Sequence, residues 1–122
     1  ALAFLLLCEE GRASLDDTVG AHLPGLSNVV RDVKVRDLLA HTSGLRDSND
    51  IVYQFSGYGR WVTAEQLLRA YRDSVDVCAE PGQRFNYNNG GYNLVAAIVE
   101  AASGMRVPAS MRSRGVLPST RR

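Results

Sequence analysis

Tyr92, Val95, Ala96, Val99 and Ala102 recur at intervals of three and four residues, and Ser103-Gly104 stops the run. An apolar stripe of that period marks one face of a helix, and the face must bury against a partner. Glycine just past the last apolar position supplies the left-handed residue that ends many helices. The same pattern recurs along the chain. Residues 1–10 read as a buried helix ended by Glu9-Glu10-Gly11. Leu15, Val19 and Leu23 are four apart, with Asp16 and Asp17 as a turn and N-cap pair before them and Pro24 ending the segment. Val33-Lys34-Val35 leads into a short helix over residues 36–41, closed by Thr42-Ser43-Gly44. Thr63-Ala64-Glu65-Gln66 predicts a reciprocal capping box. The helix it opens carries Leu67, Leu68, Tyr71 and Val75 on one face. No strand longer than about three residues is predicted, so the expected class is mainly helical.

Two loops interrupt this pattern. Residues 46–60 have no period, and Asn49, Asp50, Ser56, Gly57 and Gly59 mark a long loop that Tyr53, Phe55 and Tyr58 would pack down. Residues 76–89 form the second loop. It brings Tyr87 and Asn89, two apart, to the mouth of the last helix. Spacing alone reads Tyr87 as a packed loop aromatic and Asn88-Asn89-Gly90-Gly91 as a turn with a helix cap.

Charge excludes little but points away from nucleic acid. Thirteen acidic residues face fourteen basic ones, a net charge of +1. No acid follows Glu100, while Arg106, Arg112, Arg114, Arg121 and Arg122 crowd the tail. Five arginines without lysine or aromatic residues make a poor nucleic-acid arm. No apolar run reaches the ~20 residues of a bilayer span. Residues 1–8 have the apolar look of a signal-peptide core. They lack a basic leader, and a large residue precedes Cys8, so a helix ended by Gly11 is the better account. Cys8 and Cys78 have no metal-like spacing and are expected to stay unpaired.

Three stretches carry a family resemblance. They are residues 5–17 (Leu-Leu-Leu-Cys-Glu-Glu-Gly-Arg-Ala-Ser-Leu-Asp-Asp), residues 35–45 (Val-Arg-Asp-Leu-Leu-Ala-His-Thr-Ser-Gly-Leu), and Pro81-Gly82-Gln83-Arg84-Phe85 with Tyr87-Asn88-Asn89 and Gly91-Tyr92. In this order they resemble the serine hydrolase family of class C β-lactamases, D-alanyl-D-alanine carboxypeptidases and related esterases. The resemblance covers residues 1–104 and implies a mainly α fragment of the α+β β-lactamase/transpeptidase-like fold. Residues 1–105 would be a partial domain. Residues 106–122, rich in Arg, Ser and Pro, are expected to be disordered or out of frame.

The chemistry implied is acyl transfer to a serine from a β-lactam, D-alanyl peptide or ester carbonyl. By resemblance, Tyr87 and Asn89 are the catalytic residues, and no cofactor or metal is needed. A phenol, with a pKa near ~10, is a poor base in water, but a nearby ammonium favours its phenolate. Asn89 would orient that ammonium and bond the substrate amide, since a carboxamide offers donor and acceptor without charge. The nucleophile is not in the chain. It requires Ser-x-x-Lys, and the lone lysine, Lys34, has Arg31 three residues before it. The family places that motif a few residues before the position of Ala3. The chain alone is therefore expected to be inactive, with a small-molecule or peptidoglycan-like substrate belonging to a parent protein. Parents in this family are often periplasmic or secreted. The alternatives are a non-catalytic binding domain derived from the family, or a truncated product without function. His41 invites a triad with Ser43 and Asp47; the resemblance instead makes residues 41–44 a structural helix-end turn. His22 reads as a surface or half-buried helix residue.

Overall fold

The computed structural model describes residues 1–50, 63–73 and 77–107. Its helices in chain order are α1 (Leu2–Glu9), α2 (Val19–His22), α3 (Asn28–Arg31), α4 (Val35–Leu39), α5 (Ala64–Asp73) and α6 (Asn89–Ser103). Residues 48–50 are helical as well, where the sequence suggested a loop. Extended structure among the described residues is confined to isolated antiparallel bridges, Thr18 with Lys34 and Leu45 with Val77. The expected packing of Tyr53, Phe55 and Tyr58, the position of Val75, and the tail beyond Val107 lie outside the described residues.

Helix ends follow the sequence closely. At the end of α1, Gly11 N–H bonds Cys8 O at 3.0 Å and Arg12 N–H bonds Leu7 O at 2.9 Å, with Gly11 at φ +74°. This is the Schellman pattern. The capping box forms as read: Thr63 N–H donates to Gln66 Oε1 at 2.9 Å, and Gln66 N–H donates to Thr63 Oγ1 at 3.2 Å. The expected cap at Asp16 and Asp17 does not form. Thr18 holds the N-cap position of α2, without a side-chain bond. Asp17 turns back instead, accepting Ser14 N–H at 2.8 Å and meeting His22 Nε2 at 2.9 Å. Asp16 takes the Arg36 guanidinium at 2.9 Å. Both carboxylates are thus drawn away from the first N–H groups of α2.

Helix α6 is the centre of the packing, touched by α1, α2, α4 and α5. Its buried line runs through Leu94, Val95, Ile98 and Val99. The sequence stripe named Val95 and Val99 but set the face partly off, towards Tyr92 and Ala96, which are only half-buried. Against that line lie Phe4 and Leu7 of α1, Val19, Val30, Val33, Val35, Leu38, Leu45 and Tyr71. Each large side chain buried this way is worth about 1.5–3 kcal/mol relative to exposure. Backbone bonds from Val19 to Val33 O (2.8 Å), Val35 to Asp17 O (2.9 Å) and Arg36 to Leu15 O (3.0 Å) lace α2 to the start of α4. The segment that leaves α4, residues 41–48, is thereby fixed beside the N-terminus of α6.

Candidate functional site

Helix α4 ends in a second Schellman pattern, this time without glycine. His41 N–H reaches Leu38 O at 3.3 Å and Thr42 N–H reaches Asp37 O at 2.8 Å. His41 sits at φ +58°, the one non-glycine residue in the left-handed region among the described residues. The chain then runs through Ser43, Gly44 and Leu45, all buried. Gly44 adopts φ +75°, and a Cβ there would collide with the carbonyl oxygen of Ala79. Glycine therefore allows residues 43–45 to lie directly against the second loop.

Residues 41–48 act as a template for residues 77–91. Gly44 O accepts Cys78 N–H at 2.7 Å, and Thr42 O accepts Gly82 N–H at 2.7 Å. His41 O accepts Asn86 N–H at 2.8 Å, and His41 Nδ1 accepts Asn88 N–H at 3.0 Å. Leu45 O accepts the Asn88 side-chain amide at 3.0 Å. Asp47 then takes Asn89 N–H at 3.2 Å and Gly90 N–H at 3.0 Å. Asn88 Oδ1 takes Gly91 N–H at 3.1 Å as the N-cap of α6. The first three N–H groups of α6 are all answered within the chain, so this helix end is not a vacant anion site.

A buried tyrosine locks the template from behind. Tyr71 is fully buried; its hydroxyl donates to Arg46 O at 2.8 Å and accepts Ser48 N–H at 3.2 Å. Burial pushes its phenol above the ordinary value, which keeps it neutral as a donor. Gly90 makes the approach possible: a Cβ on it would lie 2.6 Å from Ser48 Oγ and 2.7 Å from Ser48 N. On the near side, Tyr92 OH donates to Leu39 O at 2.7 Å, satisfying a carbonyl at the end of α4.

Tyr87 and Asn89 differ sharply from their own backbone. The main chain on either side of Tyr87 is tied down, yet Tyr87 is 65% exposed and Phe85 is 70% exposed. Asn89 is exposed too. Tyr87 packs onto the His41 ring, with centroids 4.4 Å apart and planes 33° from parallel. A phenol and a carboxamide thus stand out from a rigid loop-to-helix junction, free to meet other groups. Beside them a cavity of about 130 Å³ is lined by Gly44, Cys78, Ala79, Arg84, Phe85 and Asn86.

The histidine triad does not assemble. His41 Nδ1 is occupied by the Asn88 N–H, Ser43 Oγ accepts Leu45 N–H at 3.3 Å, and Asp47 bonds the backbone of Asn89, Gly90 and Asn49. All three serve local and loop structure. Cys8 and Cys78 are free thiols, Cys8 half-buried and Cys78 exposed. Burial, with the Asp17 charge second, raises the Cys8 thiol above its usual value. Among the described residues no cluster of His, Cys, Asp or Glu fits a metal ion. None of their helices is long and apolar enough to cross a membrane. His22 is half-buried, as read from sequence.

Sequence reasoning missed Asp47 and Tyr71 as supports of this site. Asp47 lies 42 residues from Asn89, and Tyr71 lies 25 from Arg46. The one available signal was local: Tyr71 is the aromatic on the apolar face of α5, and a buried tyrosine hydroxyl must find a partner.

Comparison with known proteins gives a consistent result. The profile of the Beta-lactamase family matches residues 1–118. A penicillin-binding protein from Bacillus subtilis (strain 168) is 33% identical, with 98% of this chain and 26% of the relative aligned. The octameric penicillin-binding protein homologue from Pyrococcus abyssi superposes with a TM-score of 0.71 at 32% identity, covering 92% of this chain and 27% of that one. A D-stereospecific amidohydrolase from Streptomyces sp. gives 0.73 at 28% identity, covering 95% of this chain and 38% of that one. The chain spans 20–26% of the length of the curated relatives it matches.

Proposed function

The chain belongs to the Beta-lactamase family, and on that premise we propose that it supplies the Tyr87-x-Asn89 element of a serine hydrolase's acyl-transfer centre. The serine and lysine come from a Ser-x-x-Lys segment, which these 122 residues do not contain. In the reaction, a bond forms from serine Oγ to the substrate carbonyl carbon. The Oγ proton passes to the Tyr87 oxygen, held as phenolate by the lysine ammonium, and from there to the leaving nitrogen or oxygen as its bond to carbon breaks. Water then repeats the sequence and releases the acid. Serine needs such a base because it is a weak nucleophile at its free pKa. Asn89 orients the lysine and bonds the substrate amide.

One observation carries this reading: the backbone around Tyr87 and Asn89 is fixed on both sides while their side chains stay exposed. Fixed, outward groups are what proximity catalysis requires. Relatives named for binding penicillin and for D-stereospecific amide hydrolysis support a β-lactam, D-alanyl peptide or ester carbonyl as substrate.

Acylation is the test. The 122-residue chain alone should stay unlabelled by fluorescent penicillin and by a fluorophosphonate. Grafted in place of the matching segment of the Bacillus subtilis relative, it should support labelling at the host's serine. Tyr87→Phe in that graft should then slow acylation about 10²–10⁴-fold, the usual contribution of a general acid–base group. Equal rates for the two folded grafts would remove Tyr87 from the chemistry.

A further inference from the structure

His41 occupies a helix-end position that suits it badly. At φ +58° a side chain is strained, and glycine or asparagine is the usual occupant. A residue whose only task were to end α4 would gain nothing from an imidazole. The imidazole does have other partners. Its Nδ1 accepts the N–H of Asn88, the residue after Tyr87. The carbonyl of the same residue accepts the N–H of Asn86, the residue before Tyr87, at 2.8 Å. Its ring stacks on Tyr87 itself at 4.4 Å and on Tyr92 at 4.9 Å, and meets Phe85 edge-on at 5.8 Å. Tyr92 is anchored in turn by its bond to Leu39 O, so the stack rests on α4.

We infer that His41 is a positioning residue for Tyr87: its acceptor nitrogen and its ring, rather than its place at a helix end, set where the phenol stands. The inference rests on the reading of Tyr87 as the proton-transfer group and assigns that group its support. One residue brackets Tyr87 before, after and on its face, while Tyr87 as a whole stays 65% exposed. The bond from Asn88 fixes the ring's state. Nδ1 must carry no proton, so the neutral ring bears its hydrogen on Nε2. Histidine is also the side chain that joins an sp² acceptor to a stacking face in so short a reach.

Glycine separates the two roles, because they predict opposite results. If His41 merely ends α4, His41→Gly relieves the strained backbone and leaves the loop intact. If His41 positions Tyr87, the same change keeps the helix end and frees the loop. The experiment is nuclear magnetic resonance on the full 122-residue chain and its His41→Gly variant. In the unsubstituted chain the His41 Nδ1 nitrogen shift should be that of an unprotonated, hydrogen-bonded acceptor, and the Asn88 amide should be protected. In the variant, Leu94 and Ile98 methyl shifts should persist. Asn88 exchange should accelerate about five- to tenfold, the equilibrium weight of one hydrogen bond, and the Tyr87 ring signals should move to those of a mobile tyrosine. Unchanged Asn88 protection and Tyr87 shifts in the glycine variant would overturn the inference. So would a proton on Nδ1, or an unprotected Asn88, in the unsubstituted chain; these readings decide the matter even if the variant fails to fold. An immobile, stacked Tyr87 in a graft whose Tyr87→Phe form reacts equally fast would leave this inference standing and remove the proposed function alone.

Discussion

Around Phe4 and Leu94 the chain is held by apolar burial; between residues 41–48 and 77–91 it is held by hydrogen bonds. Both regions meet on α6. One face of that helix buries Leu94, Val95, Ile98 and Val99, and its first turn is fastened by Asp47 and Asn88. The apolar region fixes where the helix lies but tolerates small shifts, since side chains can repack. The hydrogen-bonded region fixes the path of the backbone to tenths of an ångström, because donors and acceptors must align. The second kind of support lies where the Tyr87 and Asn89 motif lies.

Substitutions on the two sides should therefore fail differently. Phe4→Ala removes a fully buried ring from the apolar side and should lower unfolding stability by about 3–5 kcal/mol. The amide shifts of residues 86–90 should stay in place under native conditions, as seen by nuclear magnetic resonance. Displacement of those shifts would mean that the two regions are not separable.

Gly44→Ala attacks the other side. It sets a Cβ into the Ala79 carbonyl at a backbone angle of +75°. The left-handed conformation costs about 1–2 kcal/mol and the overlap about 1–3 more. Urea denaturation should show that loss, together with perturbed Cys78 and Gly82 amides. A neutral Gly44→Ala would mean the close approach of residues 43–45 to the loop is wrong.

Tyr71→Phe is subtler. It keeps the ring in the core but removes the hydroxyl that bonds Arg46 O and Ser48 N–H, for a loss of about 1–3 kcal/mol. Its larger consequence should be local, a mobile segment 46–48 and a loosened first turn of α6. A loss confined to global stability, with residues 46–48 unchanged, would reduce Tyr71 to a core residue.

The helical framework was legible because its signals are local. The Thr63–Gln66 box and the Gly11 end each depend on residues within one turn, and both formed as read. The motif at Tyr87 and Asn89 was legible as a pattern. Its geometry was not, because each support comes from far along the chain: His41 is 47 residues from Asn88, and Asp47 is 43 from Gly90. The misplacement of Asp17 has a local origin: its carboxylate takes the Ser14 N–H and the His22 ring, three and five residues away, in place of the first N–H groups of α2. His41 shows the limit most clearly. Sequence made it a helix-end residue, which it is; nothing local revealed what its ring would face.

The smallest expected effect lies at the edge of the apolar side, at Asp17. Bonding to the Ser14 N–H, then to His22, holds its carboxyl below the usual value of 3.8. A depressed folded value means the stabilisation is present above the ordinary value and is lost as pH falls through the folded one. Stability should therefore decline below about pH 4 in part through this group, and Asp17→Asn should flatten that acid limb without moving the loop. An unaltered acid limb would show that the pair contributes nothing.

Residues 41–48 make the Tyr87–Asn89 loop part of the folded core rather than an appendage to it. Native-state hydrogen exchange reads this directly. The amides of Cys78, Gly82, Asn86, Asn88 and Gly90, each bonded to the template, should open with a free energy close to that of the Leu94–Val99 amides in α6. Free exchange at those five positions, under conditions where α6 stays protected, would contradict the account.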